Sequence, residues 1–93
     1  MATVTLNPSG TSTQRVVLTA SLTAFNINQG FDGQLLTVIF QQDATGSHTV
    51  TAGTSVTSVG TITGTASEDT INLYAYDALL GMWGYLAQCN AIS

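Results

Sequence analysis

Hydrophobic and polar positions alternate with a period of two through most of this chain, the repeat that puts successive side chains on opposite faces of a β-strand. The first clear strand covers residues 14–20, and a second, shorter one covers residues 23–28. Leu18, Leu22, Phe25 and Ile27 are available from them for one core. Gln29-Gly30-Phe31-Asp32-Gly33 reads as a turn, with glycine wherever φ must be positive. Over residues 34–41, Leu36, Val38 and Phe40 alternate with Leu35, Thr37 and Ile39, so both faces are largely apolar and a central strand is predicted. Asp43-Ala44-Thr45-Gly46-Ser47 makes the next turn, after which residues 48–51 are expected to return antiparallel as a hairpin.

The remaining pattern is less regular. Residues 52–67 are Gly, Thr, Ser and Val with weak alternation, predicting a long surface connection with one short strand over residues 56–62. Residues 70–77 set Ile71, Leu73 and Ala75 on an apolar face against Asn72, Tyr74 and Tyr76 on a polar, aromatic one. Residues 78–81 turn the chain, and residues 82–88 pair back as the final strand. At the other end, alternating Thr3, Val4, Thr5 and Leu6 run into Asn7-Pro8-Ser9-Gly10, a strong turn signal. Residues 1–13 are therefore read as an N-terminal arm or edge strand, and residues 14–93 as the domain proper. Seven or eight strands result, and the fold class is all-β, a small antiparallel β-sandwich or jelly-roll-like domain.

Composition supports that reading and narrows the function. Lys is absent, Glu occurs once, and nine glycines punctuate the chain at the short spacing of β-turns. With 93 residues the chain is one domain. Surface scaling leaves roughly 5,100 of roughly 14,000 Å² exposed, so a partner adds much to so small a core. Only 6% of residues are charged, and Arg15 is the one cation against Asp32, Asp43, Glu68, Asp69 and Asp77, for a net charge of -4. One arginine does not neutralise a phosphate backbone, which excludes direct nucleic-acid binding. An anionic membrane surface is disfavoured for the same reason. The first six residues carry no basic segment and no apolar run approaches 18 residues, so neither a secretory leader nor a membrane helix is expected, and synthesis is cytoplasmic. A surface of Thr, Ser, Asn and Gln in place of charge suits tight side-by-side association.

Candidate chemistry is sparse. Asp43, Ser47 and His48 contain the residue types of a hydrolytic triad, but Ser47 and His48 are neighbours at a strand start and face opposite ways. No catalytic residue is assigned, and the chain is read as non-enzymatic. Its one His and one Cys lie far apart and the carboxylates lack calcium-loop spacing, so no metal ligand or cofactor is assigned. Glu68 and Asp69 read as a solvated pair guarding a strand edge, with calcium on a trimer axis as the lesser alternative. Cys89 reads as a small buried apolar residue. Among the aromatics of the last hairpin, Trp83 is assigned to the core. Tyr74 and Tyr76, opposite Ile71 and Leu73, are assigned to an interface between chains.

The stretch Leu36-Thr37-Val38-Ile39-Phe40-Gln41-Gln42-Asp43-Ala44-Thr45-Gly46-Ser47-His48-Thr49-Val50-Thr51 resembles a recurrent module of tailed-bacteriophage structural proteins. Residues 69–77 with Gly81-Met82-Trp83-Gly84-Tyr85 look like that module's closing hairpin, and the resemblance spans roughly residues 14–88. It implies a homotrimeric virion component, on the capsid exterior or at a tail-fibre end, with no catalytic residues. The chain opens almost directly onto the module, without the shaft of longer members. The expected function is that of a capsid decoration (cement) protein binding across major-capsid subunits. The alternative is a tail-fibre or receptor-binding tip contacting a host surface glycan or protein. A hydrolase acting on polysaccharide needs paired carboxylates in a groove, and the five acids fall mostly in turns or at strand ends. Contacts are assigned to the N-terminal segment, with Thr3, Val4, Thr5, Leu6, Asn7 and Pro8, and to Tyr74 and Tyr76.

Overall fold

Seven strands carry the fold in the computed structural model, which describes residues 2–9 and 12–92. They are β1 (Ala2–Leu6), β2 (Thr13–Leu18), β3 (Leu22–Ile27), β4 (Leu35–Gln42), β5 (Val50–Ala52), β6 (Asp69–Asp77) and β7 (Met82–Ile92), with no helix among the described residues. Two sheets form, one ordered β1-β3-β5 and the other β2-β4-β6-β7. The all-β class and the strand positions follow the sequence pattern closely. The strand directions do not.

An antiparallel fold was expected, yet β1 pairs with β3, β3 with β5 and β2 with β4 in parallel, and only the β4–β6 and β6–β7 pairs are antiparallel. The cause lies in the short turns. Each one after β1 to β4 carries the chain across to the opposite sheet instead of back along the same one, so strands two apart in sequence become neighbours running the same way. A parallel pair needs a long crossover, and here the strand in the other layer serves as that crossover. The expected 48–51 hairpin fails for the same reason. Both edges of β4 are taken, by β2 and β6, so β5 joins β3 instead, with Leu22 opposite Val50 and Phe25 opposite Ala52.

The core sits between the two sheets. Leu18, Leu22, Phe25 and Ile27 are buried as expected, and meet Leu36, Val38 and Phe40 of the interior strand β4. Phe25 and Phe40 contact edge to face across the layers at 4.9 Å between ring centroids, and Phe25 also lies 6.5 Å from Tyr74. Trp83 is fully buried and donates its indole N–H to the carbonyl of Asn28 at 2.9 Å. So large a ring is costly to bury without a partner for its one donor.

β6 lies in the opposite phase to that expected. Thr70, Asn72, Tyr74 and Tyr76 point into the core, while Ile71, Leu73 and Ala75 lie on the outer face. The reason is what covers β6. The connection after β5 runs along this side of the molecule, forms a single bridge between Val56 and Trp83 in place of the expected strand, and buries Val56 and Val59. Its irregular backbone lacks a ladder, and inward polar side chains supply the partners. Tyr74 donates its hydroxyl to Ser58 O at 2.9 Å, and Asn72 Nδ2 donates to Val59 O at 3.0 Å. Thr63 N donates to Asn90 Oδ1 at 2.9 Å and to Thr70 Oγ1 at 3.2 Å.

Buried Gln42 closes the same arrangement from β4. Its Nε2 donates to His48 O and to Thr63 O, both at 2.7 Å, and its Oε1 accepts from His48 N at 3.2 Å. One amide thus ties two connections to the sheet. Gln42→Leu fits the volume but orphans three backbone groups, and a loss of about 3 kcal/mol is expected. Urea unfolding followed by Trp83 fluorescence measures it, and a loss below about 1 kcal/mol would remove the amide's structural role.

Burial pushes the Tyr74 phenol up to about 12, with a smaller push from Tyr85 and an opposing effect of the Asn72 hydrogen bond. An unfolded tyrosine releases its proton near ~10, so the native state holds one more proton between those values. Stability is then intact below pH ~10 and falls as pH rises toward 12. Tyr74→Phe is expected to lose about 1 kcal/mol at neutral pH, as Ser58 O loses its donor, yet to show a flatter decline across the alkaline window. Equal alkaline slopes in the two proteins would reject this origin.

Candidate interaction surface

The residues assigned to contacts occupy two different places. Thr3, Val4, Thr5 and Leu6 form β1, the edge strand of its sheet, with Val4 and Leu6 packed against the core and Thr3 and Thr5 exposed. Asn7 turns the chain by accepting from Ser9 N at 3.1 Å and Ser9 Oγ at 2.7 Å. Pro8 is buried, and its carbonyl accepts from Gln34 Nε2 at 3.1 Å. The segment is thus built into its own domain as an edge strand, with residues 1, 10 and 11 of that assignment outside the described residues. Tyr74 and Tyr76 are buried, at 0% and 6% exposure, and offer no surface to another chain. Their removal from the interface follows from the reversed phase of β6.

That reversal leaves a different surface available. Across β2, β4, β6 and β7 the register aligns Arg15, Ile39, Ile71 and Cys89 in one row and Thr13, Thr37, Leu73 and Ala87 in the next. Ile71, Leu73, Ala87 and Cys89 border a shallow apolar depression of about 250 Å³. Arg15 Nη1 donates to Asp69 Oδ2 at 3.1 Å and to Gln41 Oε1 at 2.9 Å, so the chain's one cation is neutralised on this face.

The sheet face runs toward an apolar tip. Leu35 and Ala75 form the next row, and beyond it lie the 29–34 and 77–81 turns with Phe31 69%, Leu79 93% and Leu80 70% exposed. Asp32 Oδ1 accepts from Ala78 N at 3.0 Å, joining the two turns, while Asp77 Oδ1 accepts from Leu79 N at 3.0 Å and Leu80 N at 3.3 Å. The apolar side chains therefore stand on turns whose polar groups are already satisfied. No pattern of alternation marks them, because two adjacent leucines in a turn have no partner face. Their exposure was the missed signal.

The groups considered for chemistry are engaged structurally. His48 Nε2 lies 3.1 Å from Asp43 Oδ1, the same oxygen that accepts from Thr45 N and Gly46 N at 3.0 Å each. The Gly46 bond contributes most to holding the Asp43 carboxyl below its usual range, against a cost of desolvation, with Thr45 and His48 adding to the lowering. Among the described residues no hydrogen bond links Ser47 to His48, and no group of three His, Cys, Asp or Glu forms a metal cage. Glu68 Oε1 accepts from Thr63 Oγ1 at 2.9 Å, while Asp69 faces Arg15.

Cys89 is exposed, contrary to its assignment to the core. One extra residue in β7 between the pairs Tyr74–Tyr85 and Leu73–Ala87 shifts the alternation, so Ala87 and Cys89 fall on the outer face. A maleimide should label Cys89 stoichiometrically in the free folded chain and fail to do so once this face is covered. A native chain that resists labelling while monomeric would refute the placement. Comparison with protein-family models, with curated proteins and with solved structures returned no match.

Proposed function

We propose that the chain is a non-enzymatic structural protein of a tailed-phage virion. Its role is that of a decoration protein which, as a homotrimer of small β-sandwich domains, binds the capsid exterior across major-capsid subunits. The carrying observation is a ratio: six large apolar side chains (Val17, Phe31, Leu35, Leu79, Leu80 and Leu86) are more than half exposed in a chain with one cation and five acids. Soluble monomers rarely keep such a surface free. Covering it is favourable at roughly 25 cal/mol per Å² of apolar area, and a ligand that binds only the assembled shell stabilises it by mass action. The virion assignment itself rests on the resemblance over residues 36–51 and 69–85.

A tail-fibre or receptor-binding tip is the second reading, and the concentration of Phe31, Leu79 and Leu80 at one end favours it. Mixing the purified chain with capsids that lack it, and in parallel with host cells, separates the two. Saturable capsid binding with a shell melting several degrees higher supports decoration, whereas adsorption to cells without capsid binding supports the tip. The double variant Leu79→Glu and Leu80→Glu should stay folded, because the turn is held by Asp77 and not by the leucines, and should bind at least ten-fold more weakly. A monomer in solution that binds neither capsid nor cell would end both readings.

A further inference from the structure

A cleft of about 510 Å³ opens where the parallel sheet ends, lined by Thr5 of β1, residues 26–29 of β3 and beyond, Thr54 and Ser55 after β5, and Tyr76, Ala78 and Gly81 of the last hairpin. Its size is that of a small-molecule site, in the range of ~300–1,000 Å³. Parallel pairing creates it, because β1, β3 and β5 all finish at this end of their sheet.

The floor is fixed. Asn26 Oδ1 accepts from Ser55 N at 3.0 Å and Ser55 Oγ at 2.7 Å, and Ser55 Oγ accepts from Ile27 N at 2.9 Å. Gly53 permits this arrangement, since a Cβ there would collide with the Asn26 side-chain amide. Asn28 is held through its carbonyl by Trp83, and Tyr76 is backed by the Trp83 ring at 5.0 Å. The walls are different. Among the described residues the side chains of Thr5, Asn28, Gln29 and Thr54 make no hydrogen bond within the protein, and all four are exposed. Hydroxyls and amides that both donate and accept therefore surround a pre-formed cavity whose accessible apolar contribution is small, from Ala78, with buried Ile27 and Tyr76 behind it.

No carboxylate or cation lines the cleft. Asp77 adjoins the lining residue Ala78 in the chain, Asp32 accepts from the Ala78 N–H, and the one arginine is paired on the opposite sheet. An anionic ligand would meet repulsion with no counter-charge, and a cationic one would find no lining carboxylate. A peptide strand would require an unpaired sheet edge or apolar side-chain pockets, and the cleft offers strand ends and polar walls. From this lining we infer that the cleft binds an uncharged oligosaccharide, its hydroxyls meeting Thr5, Asn28, Gln29 and Thr54 and a less polar face passing the exposed methyl of Ala78. The inference stands on the cleft alone, whichever virion role the chain fills.

The test presents the full chain to immobilised neutral di- to tetrasaccharides of hexoses and N-acetylhexosamines, with sialylated and sulfated glycans alongside. Retention on at least one neutral glycan and on none of the acidic ones is expected. The pair Asn28→Ala and Gln29→Ala should weaken it at least ten-fold, and Thr54→Trp should abolish it by filling the cavity. Trp83 fluorescence reports folding of each variant, and capsid or cell binding through Leu79 and Leu80 should be unchanged, which separates failure here from failure of the virion role. If Thr54→Trp misfolds, shifts of the Asn28 and Gln29 side-chain amide resonances on adding the retained glycan locate it instead. No retention of any neutral glycan at ~1 mM, retention unaltered in the Asn28/Gln29 variant, or retention of acidic glycans alone would overturn the inference.

Discussion

Everything in this molecule accommodates the need to pair the backbone of one irregular segment. Residues 53–68 lie over the inner side of β6 and β7, shut from water along part of their length, and among the described residues form one β-bridge and scattered backbone hydrogen bonds at their two ends in place of a ladder. Buried N–H and C=O groups without partners cost on the order of 1–3 kcal/mol each, so several would erase the stability of a domain this small. Side chains of the sheet supply the missing partners. Gln42, Asn72, Tyr74, Gln88 and Asn90 each bond the connection, and Gln88 Nε2 also donates to Asn72 Oδ1 at 2.8 Å. Among the described residues no buried side-chain nitrogen or oxygen is left unpaired.

This requirement sets the outside as much as the inside. A strand has two faces, and committing Thr70, Asn72, Tyr74 and Tyr76 inward sends Ile71 and Leu73 outward beside Ile39. The extra residue in β7 then brings Ala87 and Cys89 onto the same face. An apolar exterior is therefore the geometric complement of a polar interior. The layer-to-layer winding of β1 to β5 has a parallel consequence at the other sheet, where it gathers three strand ends around the neutral cleft.

Sequence periodicity revealed the strands because alternation is local. It located β2, β3, β4 and β6 nearly to the residue, and the core positions Leu18, Leu22, Phe25 and Ile27 with them, but on β4, where both faces read as apolar, it did not single out buried Leu36, Val38 and Phe40 from exposed Leu35. Direction and phase were illegible for physical reasons. A parallel and an antiparallel strand show the same alternation, and whether a five-residue turn reverses within a sheet or crosses between sheets depends on which edges are vacant. On β6, hydropathy ranks Ile and Leu above Tyr and Asn, yet Tyr74 buries more area than either and brings a hydroxyl that Ser58 O requires. The cleft was invisible because Thr5, Asn28 and Thr54 come from three separate strand ends.

The exposed tip gains its significance from rigidity. Phe31, Leu79 and Leu80 would be poor contacts on loose loops, since ordering each long side chain and its backbone on binding costs about as much as the burial contributes. Here Asp77 caps its own turn, Asp32 fastens the neighbouring turn to it, and Gly33 N donates to Tyr76 O at 2.8 Å. The two acids closest to the apolar tip are thus spent on backbone N–H groups that would otherwise bind water. Each carboxylate is engaged by the backbone of these turns while Leu79 and Leu80 stand exposed, an arrangement in which little ordering remains for a partner to impose.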